Sequence, residues 1–403
     1  MKYFPDEPAD GALAKWAVLA VPLLYLVATL IYSADTAPWG RPVDPESAYT
    51  MNGIVATLGY PFMKNDHPGT TTILLVDLII RLWAWLVRPS DIVEFGLTHY
   101  EAITYVARAV QAIILSGVLV VSGFIIRDAT RSSIAAALFQ VGPFVNPDTF
   151  YFQMLLAPES LMIACAMLGM ALAIKAALDE RPPKLWFGAA MGLTFGFGLS
   201  SKFLHLPLAA IGVSLLRRPL VLVVSVLVAV LTFILLNKIF NPWVFSSGYH
   251  WLVALATHKG IYGQGEPGFI DFSTFWSNIG EIFSSGPLVC AVFILGALVA
   301  AAQILRSRRF LDPVSLTLLA TFLAFLVLLI ATAKHYALHY MVASWVLAGG
   351  ALVLTVIETR RLIPRSSPRA LAVVSAMVCA ILIVTTLAAA HREAPALGPE
   401  IDD

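Results

Sequence analysis

Long apolar runs recur along most of the chain and are separated by short polar stretches. A helix needs about 20 apolar residues to cross the roughly 30 Å hydrocarbon core of a bilayer. The pattern therefore predicts one all-α membrane domain over residues 1–403, a polytopic bundle of about 11 transmembrane helices. The predicted spans are 14–33, 105–126, 132–146, 158–178, 185–200, 203–216, 219–239, 286–305, 313–333, 340–357 and 370–390.

A further apolar run, Thr71–Val87, carries Asp77 and Arg81 near its middle. These two residues lie four positions apart and share one helical face. If this run crossed the membrane, every later loop would change sides and the basic clusters would face outward, against the positive-inside rule. We therefore predict that Thr71–Val87 is an amphipathic helix at the outer interface, and that the N-terminus is cytoplasmic.

This topology places two long polar segments on the external side, 34–103 and 240–285. Long loops in a compact domain usually carry function. We predict that 34–103 is the catalytic loop and contains the interfacial helix. The aromatic-rich loop 240–285 suits sugar stacking, and it equally suits a helix lying at the interface.

Composition supports the membrane prediction, because 59% of the residues are hydrophobic and 13% are charged. A soluble globular chain has about 25% charged residues. The net charge of +1 gives no reason to expect nucleic acid. The three cysteines lie inside apolar runs and indicate no disulfide framework. No P-loop, nucleophile elbow or dinucleotide fingerprint is present, so the sequence does not predict nucleotide hydrolysis.

The first external loop contains two candidate sites. Asp44 and Glu46 follow the first span, and such carboxylates serve as a general base, hold a divalent cation, or belong to a solvated acidic loop. Lys64 and His67 precede the start of the interfacial helix, where free N–H groups and the helix dipole favour an anion. The alternative for this second site is a simple turn with a capping threonine.

Two further candidates lie at the ends of predicted spans. Glu159 follows Pro158 at the outer start of a span, where a carboxylate complements the helix dipole. It faces the same compartment as Asp44, so the two carboxylates could meet in one site. Lys202 lies between two spans of 14–16 residues, which as α-helices reach only about 21–24 Å. We therefore expect Lys202 below the outer surface, where a charge marks a functional site unless it snorkels to the interface.

A cationic and aromatic cluster, Lys334–Tyr340, follows a late span. His335 and His339 in this cluster suit a phosphate contact, and a basic flank of an aromatic belt is the alternative. A metal site is not predicted here, since the HExxH context is missing.

Taken in order, these parts resemble the GT-C superfamily of integral membrane glycosyltransferases. Within it they are most similar to the bacterial lipid A aminoarabinose transferase group, and more distantly to protein O-mannosyltransferases. This chain departs from the family in having Asp-Pro-Glu for Asp-Glu, His-Pro for Lys-Pro, and His-Tyr for Arg-Tyr. The matching elements are Asp44-Pro45-Glu46 with Tyr49, His67-Pro68, Ala107-Arg108, Glu159, Gly198–Lys202, and His335-Tyr336 or His339-Tyr340.

The resemblance implies a transferase of the EC 2.4 class whose donor is a sugar linked to polyprenyl phosphate. Asp44 or Glu46 would deprotonate the acceptor hydroxyl, with inversion, and Glu159 would orient the acceptor or a cation. No cofactor is required, and a divalent cation, Mg²⁺ or Mn²⁺, stays open. Cationic side chains would neutralise the leaving phosphate. The residues implied for the donor phosphate are Lys202, His67, Lys64, His339 and His335, and those implied for substrate binding are Tyr49, Arg108 and Tyr340.

The implied partners are the lipid bilayer, the lipid-linked donor, and a glycolipid, polysaccharide or protein acceptor. Short basic loops and the resemblance together predict the bacterial inner membrane, with the active site on the periplasmic face. A lipid-linked sugar flippase or transporter is the main alternative. Transporters often contain inverted repeats with broken helices at mid-depth, and no repeat relates the two halves of this sequence.

Overall fold

The structure, a computed structural model, describes residues 4, 12–36, 46–62, 68–260, 263–365 and 367–393. Within these ranges the chain is helical apart from its connections and one isolated β-bridge between His258 and Pro267, which confirms the all-α class. The α-helices are α1 (Ala12–Asp35), α2 (Glu46–Thr57), α3 (Thr70–Val87), α4 (Ile92–Thr98), α5 (Tyr100–Thr130), α6 (Ser133–Gln140), α7 (Pro147–Met154), α8 (Pro158–Leu178), α9 (Leu185–Ser201), α10 (Pro219–Phe240), α11 (Ser247–Thr257), α12 (Phe272–Ser285), α13 (Pro287–Ser307), α14 (Pro313–His335), α15 (Val342–Trp345), α16 (Ala348–Leu362) and α17 (Pro368–Glu393). Segments of 3₁₀-helix cover Gly142–Phe144, Phe203–Leu215, Pro242–Phe245 and Leu338–Met341.

Several of these helices can cross a membrane. Among the described residues, eight are long and apolar enough, or nine if the bent pair Leu338–Trp345 and Ala348–Leu362 forms one span. The segments Leu185–Ser201 and Phe203–Leu215 are apolar but shorter. The polytopic bundle is therefore confirmed, whereas the count of about 11 spans stays a prediction.

Helix α3 forms where the sequence predicted the amphipathic helix. Arg81 Nε lies 2.8 Å from Asp77 Oδ1, so the two charged residues share a face. Arg81 also donates a hydrogen bond to the carbonyl of Ala56, at 3.0 Å, and thereby joins α3 to α2. By length and composition α3 also qualifies as a membrane span, and its interfacial placement stays a prediction.

The predicted helix over 132–146 is wrong as a single element. Helix α6 ends at Gln140 after eight residues, about 12 Å, and the Gly142–Phe144 turn follows. Asn146 then caps α7 by accepting a hydrogen bond from the N–H of Asp148, at 2.8 Å. Hydropathy missed the break because the whole segment is buried among apolar helices.

The segment Phe203–Leu215 is a 3₁₀-helix rather than the predicted α-helix. Its most buried residues include His205, Leu208, Ile211 and Ser214, and this three-residue spacing places them on one face of a 3₁₀-helix. A 3₁₀-helix rises about 2.0 Å per residue, so these 13 residues reach about 26 Å. The longer rise explains how so short a segment follows its neighbours through the bundle.

Helices α9 and α10 pack closely through glycine. Gly188, Gly192 and Gly196 are spaced four residues apart on α9, and an added Cβ at any of them would collide with the backbone of α10. Small residues at this spacing let two membrane helices approach closely. The close contact runs along both helices and holds α9 and α10 together.

Lys175 and Arg217 belong to a basic cluster at one end of α8. Lys175, in the last turn of α8, pairs with Asp128 at the end of α5, at 2.7 Å. Arg217 donates a hydrogen bond to the carbonyl of Asp179, at 2.6 Å. Glu159 opens the same α8 about 24 Å away. The candidate carboxylate therefore lies at the end opposite to this basic cluster.

Candidate functional site

Three predicted site residues, Asp44, Lys64 and His67, lie outside the described residues. Their flanking segments are described on both sides: Thr36 and Glu46 border the first of them, and Phe62 and Pro68 border the other two. The structure therefore defines where these segments begin and end.

Glu46 forms a buried ion pair with Arg108. Glu46 Oε1 accepts a hydrogen bond from Arg108 Nε at 2.7 Å, and Oε2 pairs with the terminal guanidinium nitrogen. Both side chains are at most 5% exposed, and the ring of Tyr105 lies 5.1 Å from the guanidinium carbon. Such a bidentate pair is geometrically specific, and it joins residues that sequence analysis had assigned to separate roles.

The same guanidinium holds the end of α1. Arg108 donates hydrogen bonds to the carbonyls of Ser33, at 2.8 Å, and Thr36, at 2.7 Å. Because Glu46 begins α2, the two ends of the segment 37–45 are fixed to one side chain. Arg108 thus fixes the positions of Thr36 and Glu46, the described residues that border the segment carrying Asp44.

Glu159 and Lys202 form a second buried ion pair. Lys202 Nζ donates to Glu159 Oε1, and the two side chains are 3% and 0% exposed. Pro158 starts α8 and puts Glu159 in its first turn, while Lys202 lies at the junction between α9 and the 3₁₀-helix. Sequence analysis singled out both residues but did not predict that they pair. Glu159 Oε2 is buried, and no described residue gives it a hydrogen bond.

The two ion pairs are connected through the chain that leads into α8. Glu46 Oε1 accepts a hydrogen bond from the backbone N–H of Leu156, at 2.5 Å. Leu156 precedes Glu159 by three residues, so Glu46 also restrains the lead into the second pair. Tyr49 is 2% exposed and belongs to the same apolar cluster as Leu156.

The start of α3 is fixed beside Lys202. The backbone N–H of Gly69 donates to the carbonyl of Ser201 at 2.9 Å, and Asn241 Nδ2 donates to the carbonyl of Pro68 at 2.8 Å. Pro68 directly follows His67, and Ser201 directly precedes Lys202. The segment that contains Lys64 and His67 therefore ends next to the second ion pair.

Asn237 is a structural residue that sequence analysis missed. Its Oδ1 accepts a hydrogen bond from Thr70 Oγ1 at 2.6 Å, and its Nδ2 donates to Ser200 Oγ at 3.0 Å. It thereby joins the start of α3 to the ends of α9 and α10. The signal was available, because an amide within a strongly apolar helix usually has a specific partner.

An apolar cavity of about 440 Å³ lies between α3, α5, α8 and α9. Thr71 and Ser201 line the end of the cavity that lies nearest to Lys202, which we call its upper end. Leu74, Leu168 and Leu193 are among the apolar residues of its walls. From Ser201 to Leu193 the cavity follows α9 for about 12 Å. Its upper end is thus one residue from Lys202, and its walls suit a hydrocarbon chain.

The remaining predicted residues lie at the end of α14 and in the 3₁₀ turn that follows it. His335 contacts two backbone carbonyls, of Gly260 and Leu255. His339 is 7% exposed, and its ring lies 5.1 Å from the ring of Phe152 and 4.6 Å from that of Tyr340. Because α14 ends at His335 and a 3₁₀ turn begins at 338, the two histidines do not share one helix.

No three histidine, cysteine, aspartate or glutamate side chains approach one another closely enough to hold a metal ion in the described ranges. Asp44 lies beyond those ranges, so a cation bound by the first loop stays a prediction. The cysteines Cys165, Cys290 and Cys379 are free thiols.

Replacement of Arg108 by Lys should lower the free energy of unfolding by about 1–3 kcal/mol. Lysine keeps the charge, but one ammonium cannot serve the Glu46 carboxylate and both α1 carbonyls, so a buried acceptor loses its donor. Denaturation of the detergent-solubilised protein measures the change. The matched control is Arg81→Lys, since Arg81 is 48% exposed in its own ion pair and should change stability by less than about 1 kcal/mol. Equal effects of the two substitutions would contradict the role of Arg108 in holding both Glu46 and the end of α1.

The bundle shares its fold with two solved structures of ArnT from Cupriavidus metallidurans. ArnT bound to undecaprenyl phosphate aligns with a TM-score of 0.55 and 15% identity, over 96% of this chain and 73% of that chain. ArnT in the apo state aligns with a TM-score of 0.54 and 15% identity, over 89% of this chain and 62% of that chain. No protein-family model and no curated protein sequence matches this chain. The resemblance found in the sequence is thus confirmed at the level of the fold.

Proposed function

We propose that this protein is a membrane glycosyltransferase that moves a sugar from a polyprenyl-phosphate donor to an acceptor hydroxyl. The observation that carries the proposal is the buried Glu159–Lys202 pair at the upper end of an apolar cavity. A cation beside a lipid-sized cavity suits a ligand with a phosphate head and a hydrocarbon tail. ArnT, which shares the fold, was crystallised with undecaprenyl phosphate.

The transfer itself needs a base and a stabilised leaving group. Asp44 accepts the proton of the acceptor hydroxyl as its oxygen attacks the anomeric carbon. The bond between that carbon and the phosphate oxygen breaks, and its electron pair leaves with polyprenyl phosphate. Attack opposite to the leaving group inverts the anomeric centre.

Asp44 is a better candidate for the base than Glu46. Both carboxylate oxygens of Glu46 accept hydrogen bonds from Arg108, and one also accepts from Leu156. A buried carboxylate whose two oxygens are both held by donors is not free to reach an acceptor hydroxyl. Glu46 is therefore assigned to positioning, together with Arg108.

Positive side chains neutralise the charge that develops on the leaving phosphate, where preorganised charges contribute most to catalysis. Lys202 is the central one, since an ammonium carries three N–H donors and can serve a phosphate while it pairs with Glu159. Lys64 and His67 belong to a segment that ends beside Ser201. His339 is the further candidate from the segment after α14.

Glu159 contributes a second contact. A buried carboxylate oxygen without a donor costs more than about 1–3 kcal/mol, so its Oε2 favours a ligand that donates. A hydroxyl of the bound sugar or of the acceptor supplies such a donor. Tyr49 on α2 and Tyr340 in the 338–341 turn are assigned to substrate binding in this proposal.

The site faces the periplasm in this proposal, in a bacterial inner membrane with the N-terminus in the cytoplasm. The basic cluster around Lys175 lies at the opposite end of α8, as the positive-inside rule requires. The acceptor is a glycolipid, a polysaccharide or a protein. A divalent cation, if used, is held by carboxylates of the first loop.

The purified full-length protein, presented with polyprenyl-phosphate sugars in which only the sugar differs, tests the proposal. We expect release of polyprenyl phosphate with one sugar, measured with and without EDTA. Cys165→Phe places a larger side chain in the cavity. The KM for the donor should then rise about tenfold with kcat unchanged, as expected if about two methylene groups of the donor lipid are no longer buried there.

The matched control is Ala301→Phe, which adds the same bulk at an exposed position of α13. It should leave the KM unchanged. Uptake of the lipid-linked sugar into vesicles without release of polyprenyl phosphate would contradict a transferase and support the transporter. Equal effects of the two substitutions would contradict the cavity as the place of the lipid chain.

A further inference from the structure

His335, at the end of α14, is held by an unusual pair of hydrogen bonds. Its Nδ1 lies 2.6 Å from the carbonyl oxygen of Gly260, and its Nε2 lies 2.7 Å from the carbonyl oxygen of Leu255. The side chain is buried, with 4% of its surface exposed. Leu255 lies in the last turn of α11, and Gly260 follows that helix.

The two bonds determine the charge of the ring. A carbonyl oxygen only accepts, and a neutral imidazole has one N–H donor, whereas the imidazolium has two. Both bonds therefore form together only when His335 carries the extra proton. In the neutral form, one ring nitrogen would point its lone pair at a carbonyl oxygen in a site with little access to water.

Lys334 contacts one of the same carbonyls. Its Nζ donates to the carbonyl of Leu255 and, at 2.8 Å, to that of Ala256. These carbonyls belong to the last turn of α11, where the helix dipole favours positive charge. Lys334 also lies 4.9 Å from the centre of the Phe269 ring. Two neighbouring basic residues of α14 thus hold the end of α11 and the carbonyl of Gly260.

The other end of α11 lies beside the proposed phosphate site. Trp251 stacks on Phe203 with ring centres 6.3 Å apart, and Gly248 lies against the same ring. Phe203 directly follows Lys202. Helix α11 therefore extends from the neighbourhood of Lys202 to the end of α14.

We propose that His335 is a proton-controlled latch that holds segment 247–260 closed beside Lys202. With His335 protonated, both carbonyls are bound and the segment stays on α14. Loss of the proton releases one carbonyl, and the segment opens. The closed state is therefore favoured at low pH and is lost as the pH rises. The latch does not depend on the proposed function.

Among the other titratable groups around the latch, His258 and His339 are of the type that ordinarily titrates near neutral pH. Burial and the contact with Glu281 raise the pKa of Tyr336 to about 12, so Tyr336 stays neutral. Side chains of lysine, aspartate and glutamate ordinarily titrate outside the range between about pH 5 and pH 8. The groups on the elements packed around His335 are Lys334 and Tyr336 next to it, His258, Lys259 and Glu266 in the hairpin around the His258–Pro267 bridge, Glu281 on α12, Asp148 on α7 and His339 in the 3₁₀ turn.

Hydrogen exchange of the full-length protein in detergent tests the latch without any donor. Protection factors are compared for the amides of 254–260 at about pH 5.5 and pH 8. We expect protection in the wild type to fall about tenfold at the higher pH, the equilibrium effect of one lost hydrogen bond. Helix α8 serves as an internal reference and should not change.

Two substitutions and one control make the test specific. His335→Arg keeps a permanent cation with several donors, so protection should stay high at both pH values. His335→Gln has one donor nitrogen and no charge, so protection should be low at both. His258→Gln, in the same hairpin, should behave as the wild type. A wild-type loop whose protection is independent of pH, or a His335→Arg variant that keeps the pH dependence, would overturn the latch.

Discussion

Replacement of Lys202 by Met should lower the free energy of unfolding by about 3–5 kcal/mol. The substitution leaves the carboxylate of Glu159 buried at the start of α8 without its cation. Removal of one partner from a buried ion pair costs far more than the pair contributes as a whole, because the remaining charge stays desolvated. Denaturation in detergent measures the loss. The control is Lys238→Met on α10, an exposed lysine whose removal should change stability by less than about 1 kcal/mol.

The double variant Glu159→Gln/Lys202→Met separates stability from function. With both charges removed, most of the lost stability should return, since a neutral pair carries no desolvation penalty of this size. Use of the lipid-phosphate donor should stay at least about tenfold weaker, because the charge-assisted contact to the phosphate is missing. A double variant with normal donor kinetics would reduce Lys202 to a structural residue.

Replacement of Asp44 by Asn should reduce kcat by about 10²–10⁴-fold, the usual contribution of a general base. The amide retains the size of the side chain but cannot accept the proton of the acceptor hydroxyl. The unfolding midpoint should not change. Turnover at saturating donor and acceptor, measured across pH, checks this, because the wild-type rate should fall at low pH as the base becomes protonated.

Glu46→Gln is the matched comparison for Asp44→Asn. It should destabilise the protein by about 1.5–3 kcal/mol, since hydrogen bonds to Arg108 lose their charge assistance. Its kcat should decrease less than that of Asp44→Asn, because Glu46 positions the segment and does not take the proton. An active Asp44→Asn variant beside an inactive, stable Glu46→Gln variant would reverse the two assignments.

Local pattern was sufficient for the long helices. Apolar runs at 158–178, 219–239 and 313–333 became α8, α10 and α14 with ends shifted by at most two residues, because a backbone in an apolar environment must satisfy its own hydrogen bonds within a helix. Hydropathy was not sufficient at 132–146, where two short helices replace one. Nor did it distinguish the 3₁₀-helix Phe203–Leu215, whose geometry is visible only in the spacing of its buried residues.

The sequence by itself determined the fold class, the charged residues that are candidates for the site, and the order of these residues along the chain. Each of these depends on residue type and on neighbours within a few positions. Only the tertiary structure decided which residues pair with one another. Glu46 pairs with Arg108, Glu159 pairs with Lys202, and His335 contacts the carbonyls of Leu255 and Gly260. These residues are separated by tens of positions along the chain. A buried charge takes the partner that helix packing brings within hydrogen-bond distance, and hydropathy along the chain contains no record of that packing.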